Sequence, residues 1–541
     1  MPGANLRLHN VLRYLHIDSA TLCQRDFSAL DCLSLDSRAV NASTLFLAIS
    51  GSHTSGHQYI DMAAKSGCSL AFLDTAKSQQ HGMLEERRGK SEHAISCLFV
   101  HDLQQKLADI AYCFYTGNNT TNQSQNALPS ITAVTGTNGK TSVASLMAQL
   151  SSLCHEPSAS IGTLGVNLFT KGAQQKLSET INTTPDIISL VTTLATLQKR
   201  GCTSVMLEAS SHGLAQDRLS KLKVGCGVFT NLTQDHLDYH GSMASYGQAK
   251  RLLLKAQDLS EIVLNADDDE SLKWQVETFD EQAVYWFSLH DLSAKRHGCW
   301  ASEINYSTQG ISFMLHARFP YFNAQQRVTG PLIGAFNVAN LLAAVTALLA
   351  QGFSFAALVD AVSSISAVAG RMELFTSTKA SVLVDYAHTP DALKQALLAA
   401  RVHTQGKLIC IFGCGGNRDS SKRVLMGRIA KQYADSIVLT QDNSRNEKPS
   451  TIIADIQKGL HDLAPHQSLS IELDREKAIC QTWQASSVGD IILVAGKGHE
   501  DYLEINNQRI DYNERNIVRR LTSAVAPRTN TPSAQSSRGP Q

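Results

Sequence analysis

Residues 132–146 read TAVTGTNGKTSVASL, and no stretch constrains the fold of this chain more tightly. An apolar run suited to a buried strand stops at a turn of Gly, Thr and Asn, and a Lys, a Thr and a helical pattern follow. Gly136, Asn138 and Gly139 allow backbone N–H groups to turn inward on an anion, Thr137 belongs to the same candidate phosphate-binding turn, and the next helix adds its positive end. Lys140 is then placed to reach outer phosphates, and Thr141 offers a hydroxyl to Mg²⁺. The generic phosphate loop is GxxxxGK[ST], and Val134 stands at its first glycine. Two readings are open at this level: a compressed phosphate cradle, or a strand–turn–helix that holds no ligand.

The same strand-then-helix logic recurs along the chain. ITAVT, SVMLEA, CGVFTNL and IVLNA are strand-like runs that end in polar residues, and TSVASLMAQLSSL and MASYGQAKRLLLKA lie between them as helical patterns. The alternation predicts an α/β fold with a central, mostly parallel, P-loop-type sheet whose ligands sit at the carboxyl ends of strands. A second alternating block (SVLVDYA, KLICIFG, DSIVLTQD, DIILVAG) follows GRMELF and predicts a Rossmann-like C-terminal α/β domain. TLFLAIS and CSLAFL predict a smaller N-terminal α/β domain. The expected boundaries are 1–120, 130–368 and 369–526, with a polar linker at 116–130 and a disordered tail at 527–541.

Composition narrows the function. Lys+Arg and Asp+Glu are equal at 48 each, which disfavours a polyanion binder and hence a nucleic-acid partner. No apolar run approaches the roughly 20 residues that cross a bilayer, and NVANLLAAVTALLAQG reads as a buried helix. The first ten residues, MPGANLRLHN, contain no apolar signal core. The twelve cysteines lack CxxC spacing, so reduced thiols in a cytoplasmic protein are expected.

The core GTNGKT is similar to the ATP loop of the Mur ligases and of the related folylpolyglutamate synthetases, which share a compressed loop without the first glycine. DSR (36–38), TTP (183–185), EASSHGLAQDRL (208–219), FTNLTQDHLDYHG (229–241), GAFNVANLLAA (334–344), GRMELF (370–375), VDYAHTPD (384–391), FGCGGNRD (412–419) and GKGHED (496–501) resemble, in order, the Mur branch that adds the third peptide residue of peptidoglycan. The resemblance implies three domains, binding respectively the UDP end of the substrate, ATP and the incoming amino acid. It implies an enzyme of peptidoglycan precursor synthesis; a monomer is the expected state, although the sequence itself does not make the oligomeric state legible. In the implied reaction ATP phosphorylates the carboxylate of UDP-N-acetylmuramoyl-L-alanyl-D-glutamate, and an amine displaces phosphate through a tetrahedral intermediate. Cations must gather there, because an anionic nucleophile approaches a polyanionic tail.

Residue by residue, the resemblance makes Lys140 a phosphate contact, with Thr141, Glu208 and His236 as Mg²⁺ ligands and Lys250 as a carbamylated, carboxylate-like metal ligand. Taken alone, Glu208 reads as a cap or solvent-facing carboxylate and Lys250 as a solvated helix lysine. Asn337, Asn340, Arg371 and Asp385 match the nucleotide contacts, and His388 shares their motif. For Arg371 an inter-domain salt bridge competes. Ser37 matches a UDP contact, against a plain turn cap, and Thr183, Thr184, Ser210, Gln216 and Arg218 match muramoyl-dipeptide contacts. Arg418, Asp442, Asn443, Arg445, Gly496 and Glu500 match the amino-acid site. There DNSR (442–445) replaces the family's DNPR, keeping the arginine and substituting Ser444 for a φ-locked proline. With Arg418 and Arg445 for carboxylates and Glu500 for an ammonium, meso-diaminopimelate is the expected amino acid. L-lysine addition is the nearest alternative, and Arg445 opposes it. Folylpolyglutamate synthesis and a non-catalytic nucleotide-binding paralogue are further alternatives.

Overall fold

The computed structural model describes residues 5–523 apart from 23–25, 51–54, 89–92, 117–127, 156, 181, 220, 277–281, 293–294, 308 and 418. Arg418, the 527–541 tail and most of the expected linker therefore lie outside the described residues.

Three sheets carry the α/β fold. The first orders its strands Cys32–Ser34, Thr44–Ala48, Leu70–Thr75, Ala94–His101 and Leu84–Arg88, all parallel except the last. Thr44–Ala48 is buried at every position, as suits a strand covered on both faces.

The second sheet has eleven strands, and its centre positions the site. Ser130–Thr135 lies between Val224–Phe229 and Ser204–Glu208, parallel to both. Three carboxyl ends thus emerge side by side, at Thr135, Phe229 and Glu208. Glu261–Asn265 and Ala283–Ser288 extend the parallel part on one flank, and Ser158–Gly162 lies on the other. Beyond it, Gly165–Thr170 and Ala173–Ser178 run antiparallel, an addition to the expected parallel pattern. Thr163 and Leu164 are the whole connection between the first two of these strands, too short for a crossover.

The third sheet orders Glu373–Phe375, Ser381–Asp385, Ile491–Ala495, Leu408–Phe412, Ser436–Leu439 and Ser468–Ile471, parallel except at the first pairing. The loops after Asp385, Ala495, Phe412 and Leu439 share its carboxyl edge. They contain the DYAHTP, GKGHE, GCGGN and DNSR segments.

The helical pattern from Met243 ends sooner than expected. The α-helix stops at Arg251 and tightens into a 3₁₀ turn at Leu252–Lys255, which buries Leu253 and Leu254 while Leu252 stays exposed. Ser242 opens this helix, its Oγ accepting the Ser245 N–H at 3.2 Å. The chain forms two compact units: Met1–Trp300 with Ala317–Ala324 and Asn340–Ala361, and Ala301–His316 with Gln325–Ala339 and Val362–Gln541.

Candidate active site

The loop after Ser130–Thr135 needs its glycines. Gly136 has φ +145° and Gly139 φ +88°, conformations that side chains disfavour. A Cβ at Gly136 would lie 1.9 Å from Thr230 Oγ1, and one at Gly139 2.5 Å from Asn340 Oδ1. The loop is braced by the segment after the neighbouring strand. Thr230 Oγ1 donates to the Asn138 carbonyl at 2.6 Å, and the Asn138 N–H donates to Asn231 Oδ1 at 3.0 Å. The Thr137 N–H donates to the Asn231 carbonyl at 2.8 Å, while Thr137 Oγ1 accepts the Thr233 N–H at 3.0 Å and the Tyr246 hydroxyl at 3.3 Å. Of FTNLTQDHLDYHG and MASYGQAKRLLLKA, the sequence singles out only His236 and Lys250. The run of polar residues after a strand end was the signal for Thr230, Asn231 and Thr233.

Two lysines meet at one carbonyl. Lys140 Nζ donates to the Gly136 carbonyl at 3.0 Å and to that of Thr137 at 2.8 Å. Lys250 Nζ donates to the same Gly136 carbonyl at 2.6 Å and lies 4.4 Å from the Tyr246 ring centroid. Lys250 is not the solvated lysine its local sequence suggests, because it is 1% exposed. Burial first, and the Lys140 charge second, push its ammonium down to about 6.

Glu208, at the end of the adjacent strand, is also buried. Its Oε2 accepts from Thr141 Oγ1 at 2.9 Å and Thr163 Oγ1 at 3.2 Å, and its Oε1 accepts the Thr163 N–H at 2.8 Å. A carboxylate among hydroxyls is a hard-oxygen donor set, which fits Mg²⁺. Thr163 belongs to no motif singled out beforehand; its place in the short hairpin connection puts it there. His236 has φ +52°, and its ring centroid lies 6.1 Å from that of Tyr246. Among the described residues no group of three His, Cys, Asp or Glu forms a ready-made metal cage.

The muramoyl-dipeptide candidates adjoin Glu208. Thr184 Oγ1 donates to the Glu208 carbonyl at 2.7 Å and accepts the Ser210 N–H at 2.9 Å. Ser210 caps the following turn through the Gly213 N–H, and Thr183 Oγ1 stands 3.3 Å from Thr163 Oγ1. Arg218 donates to the Thr184 carbonyl and to Gln216 Oε1. Ser37 lies elsewhere, in the turn after the strand Cys32–Ser34 of the first sheet, buried with its Oγ 3.5 Å from Met62 Sδ.

Asn337 and Asn340 share the helix Ala335–Ala350 and are both buried; Asn337 Nδ2 donates to the Ile333 carbonyl at 2.9 Å. In the second unit, Asp385 accepts the N–H groups of Met372 at 2.7 Å and Ala387 at 2.9 Å. Burial raises its carboxyl above the usual range against the opposing Arg371 charge. Arg371 lies over the Tyr386 ring at 4.9 Å, and His388 Nδ1 is 2.9 Å from the Tyr386 carbonyl. The Gly496 N–H donates to the Asp385 carbonyl at 3.0 Å, joining these residues to the GKGHE loop.

That loop meets DNSR. Asn443 Nδ2 donates to Glu500 Oε2 at 2.9 Å, and Arg445 Nη1 donates to the Gly416 carbonyl at 2.9 Å. Asp442 Oδ1 accepts the Asn443 N–H at 2.5 Å. Buried Lys497, absent from the expected set although it lies in GKGHE, donates to Glu500 Oε2 at 2.7 Å.

Comparison with known proteins accords with this arrangement. The Mur ligase family catalytic domain matches residues 30–111, the Mur ligase middle domain 134–348, and the Mur ligase glutamate ligase domain 370–498. A UDP-N-acetylmuramoyl-L-alanyl-D-glutamate–2,6-diaminopimelate ligase from Vibrio vulnificus (strain YJ016) is 39% identical over 490 residues, 90% of this chain and 94% of the relative. A solved structure of a ligase of that same name is 32% identical with a TM-score of 0.65, covering 92% of this chain and 95% of its own. A UDP-N-acetylmuramoylalanyl-D-glutamyl-2,6-diaminopimelate–D-alanyl-D-alanyl ligase from Acinetobacter baumannii shares the fold, at 18% identity and a TM-score of 0.60 over 87% of this chain and 90% of its own. A cradle with two lysines on one carbonyl and a carboxylate beside its threonine, within domains that match from residue 30 to 498, places the chain in the Mur ligase family of ATP-dependent ligases.

Proposed function

We propose that this ligase joins meso-diaminopimelate to UDP-N-acetylmuramoyl-L-alanyl-D-glutamate with conversion of ATP to ADP and phosphate. The observation that carries the reading is the convergence of Lys140 and Lys250 on the Gly136 carbonyl beside the Thr141–Glu208 pair. The glutamyl carboxylate attacks the γ-phosphorus and releases ADP. The amine of the incoming amino acid then adds to the acyl carbon; the C–O bond to phosphate breaks, and the amine gives up a proton. Lys140 stabilises charge on the transferring phosphoryl group.

Thr141 and Glu208 supply the oxygen atoms that would hold Mg²⁺, with His236 and a carbamate on Lys250 as the further ligands implied by the family resemblance. Mg²⁺ neutralises phosphate charge when bound. The low basicity of Lys250 favours the neutral amine, the form that adds carbon dioxide. Arg218 and Gln216 with Thr183, Thr184 and Ser210 contact the muramoyl dipeptide, and Ser37 contacts the UDP end. Asn337, Asn340, Arg371, Asp385 and His388 serve the nucleotide. Arg418, Asp442, Asn443, Arg445, Gly496 and Glu500 receive the amino acid. Retention of Arg445, a cation for a second carboxylate, supports diaminopimelate over L-lysine.

The test offers UDP-N-acetylmuramoyl-dipeptide, ATP and a panel of amino acids to the purified chain and weighs the product. A product carrying diaminopimelate is expected. A product with lysine and none with diaminopimelate overturns the choice of amino acid, and no phosphate release with any amino acid overturns the catalytic reading.

A further inference from the structure

Two side chains assigned no substrate contact, Lys497 and Glu504, determine which charged atoms of Arg445 and Glu500 stay available. Lys497 is fully buried. Its Nζ donates to Glu500 Oε2 at 2.7 Å and to Asn443 Oδ1 at 2.9 Å, and it lies 5.2 Å from the Tyr502 ring centroid. Asn443 Nδ2 donates to the same Glu500 Oε2 at 2.9 Å. Lysine, amide and carboxylate thus close a ring, which sets the amide's orientation and directs both donors to one oxygen. Glu500 Oε1 takes no hydrogen bond among the described residues.

Glu504 does the same for the arginine. Its Oε2 lies 2.9 Å from Arg445 Nε, and its carbonyl accepts the Arg445 N–H at 2.9 Å. Its own N–H donates to Asn443 Oδ1 at 2.9 Å, which ties the two halves together. Arg445 Nη1 is taken by the Gly416 carbonyl, and Nη2 makes no hydrogen bond among the described residues. The backbone of Arg445 is left-handed, φ +50°, and is held there by these contacts and by the Asn506 N–H on its carbonyl at 2.8 Å.

We infer that Lys497 and Glu504 are specificity-determining positioning residues, which leave one carboxylate oxygen and one guanidinium nitrogen free to meet the ammonium and the carboxylate of a zwitterionic amino-acid terminus. The inference rests on the proposed reading that Arg445 and Glu500 receive the distal end of the amino acid. Lys497 balances Glu500 and Glu504 balances Arg445, so the four charges sum to zero. A terminus with one ammonium and one carboxylate enters without changing that sum and satisfies both free atoms. A terminus with an ammonium alone adds an uncompensated charge and leaves Arg445 Nη2 dry and unpaired, which is the more effective form of rejection.

Steady-state kinetics of the full chain with meso-diaminopimelate and with L-lysine test this. Glu504→Gln removes a charge from a partly exposed side chain. It is expected to raise KM for diaminopimelate by about tenfold, with kcat and KM for ATP within about twofold of wild type. Glu504→Asp recovers part of that loss. Lys497→Met leaves Glu500 uncompensated and shifts the ratio of kcat/KM values toward lysine by about tenfold or more. If Lys497→Met does not fold, Glu504→Gln alone decides. A uniform loss of kcat with an unchanged diaminopimelate-to-lysine ratio in Glu504→Gln overturns the inference. Failure of the wild-type chain to use diaminopimelate is a different result: it removes the underlying reading and this inference with it.

Discussion

At the residue scale, the phosphate loop depends on partners that its own sequence does not contain. Thr230 holds the Asn138 carbonyl through a 2.6 Å hydrogen bond and occupies the space a Cβ at Gly136 would need. Thr230→Val keeps the shape and removes the donor. Overall stability is expected to fall by only about 1 kcal/mol, while KM for ATP rises by about fivefold or more, measured by denaturant titration and phosphate release. The charged residues show how far a motif can be read. Lys140 and Thr141 were legible because the anion-binding turn is local: glycine conformations and a following helix end suffice. Lys250 is picked out only by family resemblance, since its buried position depends on a contact with the Gly136 carbonyl, 114 residues away in sequence. Thr163 and Lys497 carry no signal in the sequence alone, because a single hydroxyl or ammonium says nothing until its neighbours are known.

At the element scale, the helix Glu514–Ser523 braces two loops through adjacent residues. Arg475 Nε donates to Glu514 at 2.8 Å, with both side chains fully buried, and Arg475 Nη2 reaches the Ala495 carbonyl at 2.9 Å beside Gly496. Arg515 pairs with Glu373, whose Oε2 also accepts the Gly370 N–H at 2.8 Å beside Arg371. Glu514→Gln leaves the Arg475 charge uncompensated and is expected to cost about 3–5 kcal/mol in urea unfolding. The double variant Arg475→Met, Glu514→Leu recovers most of that, because the buried pair contributes little net stability against apolar residues of similar size. A second element carries a pH dependence. His403, just beyond the helix Pro390–Arg401, accepts the Gly334 N–H at Nε2 (3.0 Å) and sets Nδ1 2.6 Å from the Ser307 carbonyl. Burial lowers its basicity, so the folded state holds it neutral while the unfolded chain binds a proton below about 6.5. Its contribution is therefore complete above that pH and is lost as pH falls below it. Urea midpoints at pH 7.5 and 5.5 should show the wild-type advantage over His403→Gln shrinking at the lower value.

At the scale of the whole molecule, the described cysteines are all free, and burial pushes Cys97, Cys299, Cys410 and Cys414 up to about 12. A thiol-specific dye at pH 8 should react with only a minority of the thiols in the native protein and with all twelve after denaturation. Rapid native reaction of most of them contradicts the packing. The α/β class was legible over this same span, because a buried parallel strand must be continuously apolar and its crossover helix must alternate with it. The hairpin at Gly165–Ser178 was not, since its second strand is mostly exposed and carries no apolar pattern. What the sequence determined by itself was the order of strand, turn and helix and the chemistry available at each strand end, because these rest on backbone sterics and side-chain type over a few neighbours. What the tertiary structure alone decided was which ends lie together and how each charge is balanced: two lysine nitrogens on the Gly136 carbonyl, a threonine from a hairpin on Glu208, and one free atom each on Arg445 and Glu500. Burial and Coulomb energy depend on separation in space, and strand order converts distant positions in the chain into contacts of about 3 Å.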